Sequence, residues 1–166
     1  MPGQVYSEHV SDLPRESRIG GKYQRTGVVM DQANLSFVWL TGDAFEDVVD
    51  ENGLAPGHSH PFDQLLYVIE GQLRFWTGDK VHDLAAGDVV YIPRDVPHGG
   101  RPANGKPVHL VEMFAPIRTD YLYTAEHQLA AGMPPRMADG SRTDGRDLYE
   151  TAAAMGDSTF VKQSDL

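Results

Sequence analysis

The sequence predicts an all-β protein, built as a sandwich or barrel of short, mostly antiparallel strands. Short apolar runs recur between residues 28 and 114, and turn residues separate them. Glycine (17 residues) and proline (11 residues) together exceed average usage, which favours many short elements joined by turns. With 166 residues, 40% of them hydrophobic, the chain is long enough for one domain with its own core.

Seven apolar segments are predicted as strands. Residues 31–34 supply turn chemistry between the first two, and glycine turns at Gly71, Gly78 and Gly87 separate the later ones. The acidic residues 43–51 are expected to form a solvated connection. The predicted strands are 27–30, 35–40, 65–69, 73–76, 81–84, 89–92 and 108–114.

The two ends of the chain differ from this central barrel domain, which is expected to span residues 28–118. Residues 1–27 are polar and lack strong periodicity, so we expect an N-terminal arm that packs on the barrel or on a partner subunit. A partly disordered leader is the alternative. Residues 119–166 are predicted as an extension with two short helices, 121–131 and 147–155, that caps the barrel or forms a dimer contact.

The composition excludes several classes of function. A formal net charge of −10 argues against nucleic acid and against an anionic membrane surface as partners. The chain has no cysteine, which excludes disulfides, zinc–thiolate sites and thiol catalysis. Residues 8–16 carry charges where a secretory signal needs an apolar core, and no run approaches the ~18 apolar residues of a membrane span. A soluble, cytoplasmic protein is the expectation.

Four potential metal ligands form the most informative pattern. His58 and His60 are two residues apart, so on an extended backbone their side chains point to the same side. Gln64 has the same parity, and His98 ends a separate segment that begins at Gly87. Three histidines with one oxygen donor suit a divalent transition metal (Fe, Mn, Ni, Zn or Cu). We therefore predict one metal site from these residues; surface histidines without a metal are the alternative.

The amide of Gln64 determines the chemical character of this predicted site. Three neutral imidazoles and a neutral amide leave the charge of a dication uncompensated, which favours an anionic substrate or hydroxide at an open position. A carboxylate at position 64 would have reduced that charge.

The segments around these ligands resemble the two sequence motifs of the cupin superfamily over about residues 50–115. The resemblance implies a cupin jelly-roll β-barrel, a metal site and a homodimer. Gln64 stands where most cupins have a Glu ligand, which argues against the common Glu-ligated dioxygenase chemistry. Two further departures are Asp95, where Gly is frequent, and Pro102, where Asn is frequent. The matching patterns are His58-x-His60-(x)3-Gln64-(x)6-Gly71 and Gly87-(x)5-Pro93-x-Asp95-x-x-His98.

A narrower resemblance is to the KdgF-type cupins of pectin and alginate catabolism, which open the ring of 4,5-unsaturated monouronates. It rests on residues 58–64, 67–71 and 112–118, with Glu112 where those enzymes have Asp. The resemblance implies a metal-dependent ring-opening, isomerase or lyase reaction on a small anionic, oxygenated substrate. A metal-dependent dioxygenase, a polyketide cyclase and a non-catalytic sugar- or effector-binding cupin are the alternatives.

Three side chains near the last predicted strand are candidates for the chemistry. Glu112 shares a face with apolar residues, where a carboxylate is costly unless it is paired or used, so we predict a general acid/base there. The alternative is that this face points outward and that Glu112 is solvent-exposed near a strand end. Arg118 is either a clamp for a substrate carboxylate or a surface residue, and Phe114 is predicted as pocket wall or core. Two of the other histidines, His82 and His109, are predicted as packed or surface side chains, and His9 and His127 are predicted as surface residues.

Overall fold

The structure is a computed structural model that describes residues 5–131. Within these residues, nine strands form two antiparallel sheets, as the all-β prediction requires. The strands are β1 (Glu16–Arg18), β2 (Tyr23–Val29), β3 (Asn34–Leu40), β4 (Asp63–Glu70), β5 (Gln72–Thr77), β6 (Lys80–Ala85), β7 (Val89–Ile92), β8 (His98–Pro102) and β9 (Val108–Ala115).

The strand order shows how distant parts of the chain form one barrel wall. The larger sheet has the order β1-β2-β3-β9-β4-β7, and the smaller sheet has the order β6-β5-β8. Strand β9 therefore lies between β3 and β4, although it is the last strand in sequence among residues 5–131. The inward faces of both sheets share one apolar core, to which β3, β4, β5 and β9 contribute. This arrangement confirms the predicted jelly-roll barrel.

The strand registers order the inward side chains into rungs along the barrel. Gln64 on β4 lies opposite Phe114 on β9, which forms the first rung. Glu112 belongs to the next rung, opposite Leu66. Leu110 belongs to the third rung. Because side chains alternate along a strand, these rungs project into the same interior at steps of two residues.

The segment before residue 28, expected as an N-terminal arm, contributes β1 and most of β2. The inward positions of β2 include Arg25 and Gly27, so the strand has no apolar alternation to reveal it. Strand β8 was also not predicted, because Gly99 and Gly100 are poor strand formers. In both cases tertiary pairing overrides weak local preference.

The C-terminal helix predicted at 121–131 exists in a different form. A 3₁₀ segment, Thr119–Ala125, precedes a short α-helix, α1 (Glu126–Ala130). The Gln128 amide bonds both backbone groups of Val29, at 2.8 and 2.7 Å, which ties this region to β2. The helix predicted at 147–155 lies outside the described residues. Among the helices that the structure describes, none has the length and apolar character needed to span a membrane.

Candidate metal centre and its cavity

The structure brings the three predicted histidine ligands together. The backbone N–H of His58 donates to the carbonyl of His98 at 2.9 Å, and the reverse bond is 3.0 Å. His60 lies in the segment before β4, where its carbonyl accepts from the N–H of Asp95 at 2.8 Å. Asp95 has φ 63°, a left-handed conformation that Asp tolerates better than most residues. The potential ligand atoms of the three histidines all lie within 4.8 Å of one another.

Hydrogen bonds orient two of the imidazoles for metal binding. His60 Nδ1 lies 2.9 Å from the carbonyl of Phe62, and His98 Nδ1 lies 2.8 Å from the carbonyl of Val96. A carbonyl only accepts, so Nδ1 carries the proton in both rings. In the neutral imidazole, Nε2 is then a free lone pair. Such backbone bonds to the far nitrogen are the usual way in which proteins fix histidine ligands.

The remaining polar atoms of the cluster also fit a bound cation. Gln64 Oε1 lies 2.9 Å from His60 Nε2, and both atoms are acceptors in these tautomers. The buried Nε2 of His98 has no hydrogen-bond partner within the described protein. Lone pairs that converge without a donor are costly when buried, and a divalent transition metal would satisfy them. His58, His60, His98 and Gln64 therefore suit the metal predicted from the sequence.

Burial keeps the three imidazoles neutral. It is the main cause that lowers the pKa of each ring, and it contributes to a pKa of about 4 for His98. The charge of Arg118 lowers all three pKa values further, and that of Arg25 lowers the pKa of His58. Neutral imidazole is the form that binds metal, so the centre is prepared for an ion at neutral pH.

Glu112 adjoins the cluster through Gln64. The Gln64 amide Nε2 donates to Glu112 Oε1 at 3.0 Å, which also holds Gln64 Oε1 towards His60. Burial raises the pKa of Glu112, while Arg118, Arg25 and the Gln64 bond partly offset this rise. Glu112 is half-buried and lines the interior cavity, so the face of β9 that carries it points inward and not outward.

Arg118 is fully buried and lines the same cavity, which excludes the alternative of a surface arginine. Its Nε and Nη2 contact the Asp120 carboxylate at 3.2–3.3 Å. Its guanidinium lies 3.7 Å from the ring centroid of Tyr121. Arg118 therefore brings a guanidinium group to the cavity wall, and the Asp120 carboxylate is its ion-pair partner.

The cavity is small and has two kinds of wall. Its volume is about 200 Å³, below the ≈ 300–1,000 Å³ of pockets for drug-sized ligands. Phe114, 1% exposed, lies edge-on to His60 with the ring centroids 5.5 Å apart, so it is part of the pocket wall. The polar wall contains His58, Gln64, His98, Glu112, Arg25 and Arg118. The apolar wall contains Val38, Leu40, Phe45, Leu66, Leu73, Phe75 and Leu110.

Sequence reasoning missed Arg25, Tyr23 and Tyr121, which also line the cavity. Arg25 is 1% exposed, and its guanidinium lies 3.8 Å from the ring centroid of Tyr121. The parity of Arg25 with Val29 could have placed its side chain inward, but only if β2 had been recognised from residue 23. No local pattern connects Tyr121 to this wall.

The remaining histidines lie outside the cavity lining. His82 bonds a neighbouring threonine at 3.3 Å, and His109 stacks on Trp39 with the ring centroids 4.7 Å apart. His9 is exposed, as predicted for a surface residue. The prediction of a surface His127 is wrong: the residue is half-buried and bonds the backbone of β2 at 2.8 Å, so it ties the C-terminal helix to the barrel.

The fold and the centre together define a small jelly-roll barrel with a candidate His₃–Gln metal centre. Residues 46–114 match the family model of the cupin domain. This chain therefore carries a cupin domain, as its motifs predicted. No curated protein matches the chain at a significant level.

Solved structures share this fold. One is an RmlC-like cupin from Shewanella frigidimarina NCIMB 400 (22% identity, TM-score 0.56, covering 73% of this chain and 99% of that one). KdgF from Halomonas sp. is 19% identical, with TM-score 0.53 and coverage of 66% and 94%. The polyketide cyclase RemF from Streptomyces resistomycificus is 19% identical, with TM-score 0.53 and coverage of 68% and 80%. At these identities the likeness establishes the fold alone.

Proposed function

We propose that this protein is a metal-dependent cupin enzyme that performs a non-redox ring-opening, isomerase or lyase reaction on a small anionic, oxygenated molecule. The observation that carries the proposal is the position of the Gln64 amide. Its Oε1 faces His60 Nε2 at 2.9 Å, and its Nε2 donates to Glu112 at 3.0 Å. One neutral side chain thus joins the candidate metal ligands to a half-buried carboxyl group.

His58, His60, His98 and Gln64 would hold the metal. When bound, a divalent metal supplies Lewis-acid polarisation of a carbonyl, hydroxyl or ring oxygen of the substrate. Because all four ligands are neutral, they do not diminish the attraction of the site for an anion.

Glu112 would move the proton in this reaction. Burial raises its pKa towards the neutral range in which a carboxyl group both accepts and releases a proton readily. The bond from Gln64 fixes the carboxyl group beside the ligand cluster. Arg118 would orient a substrate carboxylate by its charge. Phe114 and Phe75 would keep water away from the reacting atoms.

The concrete version of this proposal is opening of the ring of a 4,5-unsaturated monouronate. Residues 112–118 match the corresponding KdgF-type segment except for Glu112, which extends the carboxyl group by one methylene. The shared fold with KdgF supports this choice. The small cavity suits a single sugar acid better than a multi-ring polyketide.

The test begins with elemental analysis of protein purified without added metal. Loss of the unsaturated chromophore is then followed with a 4,5-unsaturated monouronate and metal-replete protein. We expect wild type to accelerate this loss and Glu112→Gln to be about 10²–10⁴-fold slower. Glu70→Gln, which removes an exposed carboxylate on β4, is the matched control.

Two outcomes would contradict this assignment. Loss of the chromophore at only the background rate with metal-replete wild type would exclude the uronate. Oxygen consumption in step with substrate loss would indicate the dioxygenase alternative, so an oxygen electrode accompanies the assay.

A further inference from the structure

Two buried guanidinium groups lie on opposite faces of one aromatic ring in the cavity wall. The Arg25 guanidinium lies 3.8 Å from the Tyr121 ring centroid, and the Arg118 guanidinium lies 3.7 Å from it. Both contacts are at stacking distance, so the two cations cannot share one face of the ring. Each arginine is at most 1% exposed, and both line the cavity that contains the histidine cluster.

The backbone of Arg25 lies one rung deeper in the barrel than that of Glu112. It is opposite Val38 on β3, and Val38 is opposite Leu110 on β9. Leu110 is one inward rung beyond Glu112, and Gln64 belongs to the rung on the other side of Glu112. Four residues of strand, roughly 13 Å at about 3.3 Å per residue, separate the backbone of the metal rung from that of Arg25. The Arg25 side chain shortens this distance, because its guanidinium packs on Tyr121, whose ring lies 5.5 Å from that of Phe114 on the metal rung. Glu112 therefore lies between the two along the wall.

The two arginines differ in how their charges are balanced. Asp120 contacts Arg118 through both carboxylate oxygens. One carboxylate oxygen of Glu16 lies 2.5 Å from Arg25 Nε, and the other oxygen accepts from Arg18. Tyr123, a neutral partner, accepts from Arg25 Nη2. In the described chain, one oxygen of a shared carboxylate is thus the anionic partner of Arg25.

A buried guanidinium needs an anion to offset its desolvation, and Arg geometry favours a bidentate carboxylate. We propose that Arg25 is a second anion anchor, which selects a ligand with two oxygenated ends. One end would lie at the metal, and a carboxylate at the other end would lie at Arg25, with Glu112 beside the atoms between. The assignment of the metal end rests on the proposed function; the anchor itself rests on the position of Arg25.

Binding of simple anions tests this anchor. Isothermal titration calorimetry on Zn²⁺-loaded wild type would compare the dicarboxylates from malonate to adipate with monocarboxylates of the same chain length. At least one dicarboxylate is expected to bind about tenfold more tightly than its monocarboxylate match. Arg25→Met should remove this preference and leave monocarboxylate binding at the metal end unchanged. Arg74→Met, on the half-exposed Arg74 outside the cavity lining, should change neither affinity.

A second pair of variants separates anchoring from a purely structural role. Arg25→Lys keeps the charge and should retain part of the dicarboxylate preference. Glu16→Gln removes the internal carboxylate that competes for Arg25, so dicarboxylate binding should become several-fold tighter. If Arg25 only supports the 3₁₀ segment, Glu16→Gln would loosen that support and bring no gain in affinity.

The outcomes distinguish this proposal from the proposed function. A folded Arg25→Met variant that keeps the dicarboxylate preference would overturn the anchor, and so would a wild type that prefers no dicarboxylate. If circular dichroism shows that Arg25→Met does not fold, the Glu16→Gln variant decides. Tighter dicarboxylate binding by Glu16→Gln supports the anchor, and no gain in affinity overturns it. If wild type binds no metal, the metal assignment fails. Any dicarboxylate binding to the metal-free protein should then still depend on Arg25.

Discussion

The two ends of the cavity satisfy their polar atoms in opposite ways. At the histidine end, lone pairs converge: His98 Nε2 has no hydrogen-bond partner in the described chain, and Gln64 Oε1 faces His60 Nε2. At the other end, the arginine end, the guanidinium groups of Arg25 and Arg118 lie on opposite faces of the Tyr121 ring. A cluster of acceptors favours a cation, and a cluster of donors favours an anion. This difference is the basis for the proposed metal at the histidine end and the proposed anion at the arginine end.

The contrast also shows that local charge and overall charge are separate quantities. The protein carries a formal net charge of −10, yet Arg118 lowers the pKa of the nearby histidines and opposes the rise in the pKa of Glu112. Buried charges act at short range in a medium of low dielectric constant, whereas surface acids are screened by solvent. An anionic ligand is therefore compatible with an acidic protein.

Removal of the histidine end should have the largest effect. The double variant His58→Ala/His98→Ala deletes two of the four ligands, so metal content should fall from about one ion per chain to background. Inductively coupled plasma mass spectrometry measures this, with His82→Ala as the histidine control outside the cavity. Unchanged metal content in the double variant would refute the site.

Changes at Glu112 should separate metal binding from turnover. Glu112→Gln keeps the bond partner of Gln64, so metal content should remain, while kcat falls by about 10²–10⁴-fold. Glu112→Asp keeps a carboxyl group on a side chain one methylene shorter, so its kcat should fall less than that of Glu112→Gln. Steady-state kinetics on the substrate that wild type turns over measure this. A Glu112→Gln variant with full kcat would remove Glu112 from proton transfer.

At the arginine end, loss of one hydroxyl group should reduce stability. The Tyr123 hydroxyl bonds Arg18, Arg25 and Glu16, so Tyr123→Phe leaves partly buried charges with fewer partners. We expect the free energy of unfolding to fall by about 1–3 kcal/mol, measured by urea denaturation. Tyr67→Phe, at an exposed tyrosine, is the control, with an effect within about 0.5 kcal/mol. Equal effects of the two substitutions would mean that the Tyr123 bonds add nothing.

Acid should weaken the arginine end through protonation of Glu16. Burial alone would raise the pKa of Glu16, but Arg25 and Arg18 hold it below its ordinary value of 4.5. The stabilisation from ionised Glu16 is therefore complete above pH 4.5 and is lost as the pH falls through the folded-state pKa. The difference in Tm between wild type and Glu16→Gln should shrink between neutral pH and about pH 3. A difference that stays constant over this range would contradict the ion-pair account.

Features that depend on residues close together in the sequence could be predicted, and features that depend on contacts between distant segments could not. Strands such as β3 and β9 alternate clearly, and the structure places them within a residue or so of the prediction. Strand β2 does not alternate in hydrophobicity, because Arg25 and Gly27 occupy inward positions. Its pairing with β3 and the packing of Leu122 and Ala125 against Val29 stabilise it instead.

The candidate metal ligands were predictable because two of their relations are local and the third is carried by a recognisable motif. His58 and His60 share a side by their two-residue spacing, and the segment that ends at His98 has the spacing of the second cupin motif. The arginine end had neither advantage. Arg25 meets Tyr123 across 98 residues of sequence, and no short-range pattern predicts that contact.

The sequence by itself determined the β-barrel class and predicted the candidate ligands and an inward Glu112. The two-residue period of an extended chain carries these predictions except for His98, which the second cupin motif supplies. Only the tertiary structure decided that Arg25, Tyr121 and Arg118 form one stack in the same cavity. Their meeting depends on the pairing of β2 with β3 and on the return of the chain after β9 across β2. Such contacts arise from the packing of distant segments, which the local order of residues does not specify.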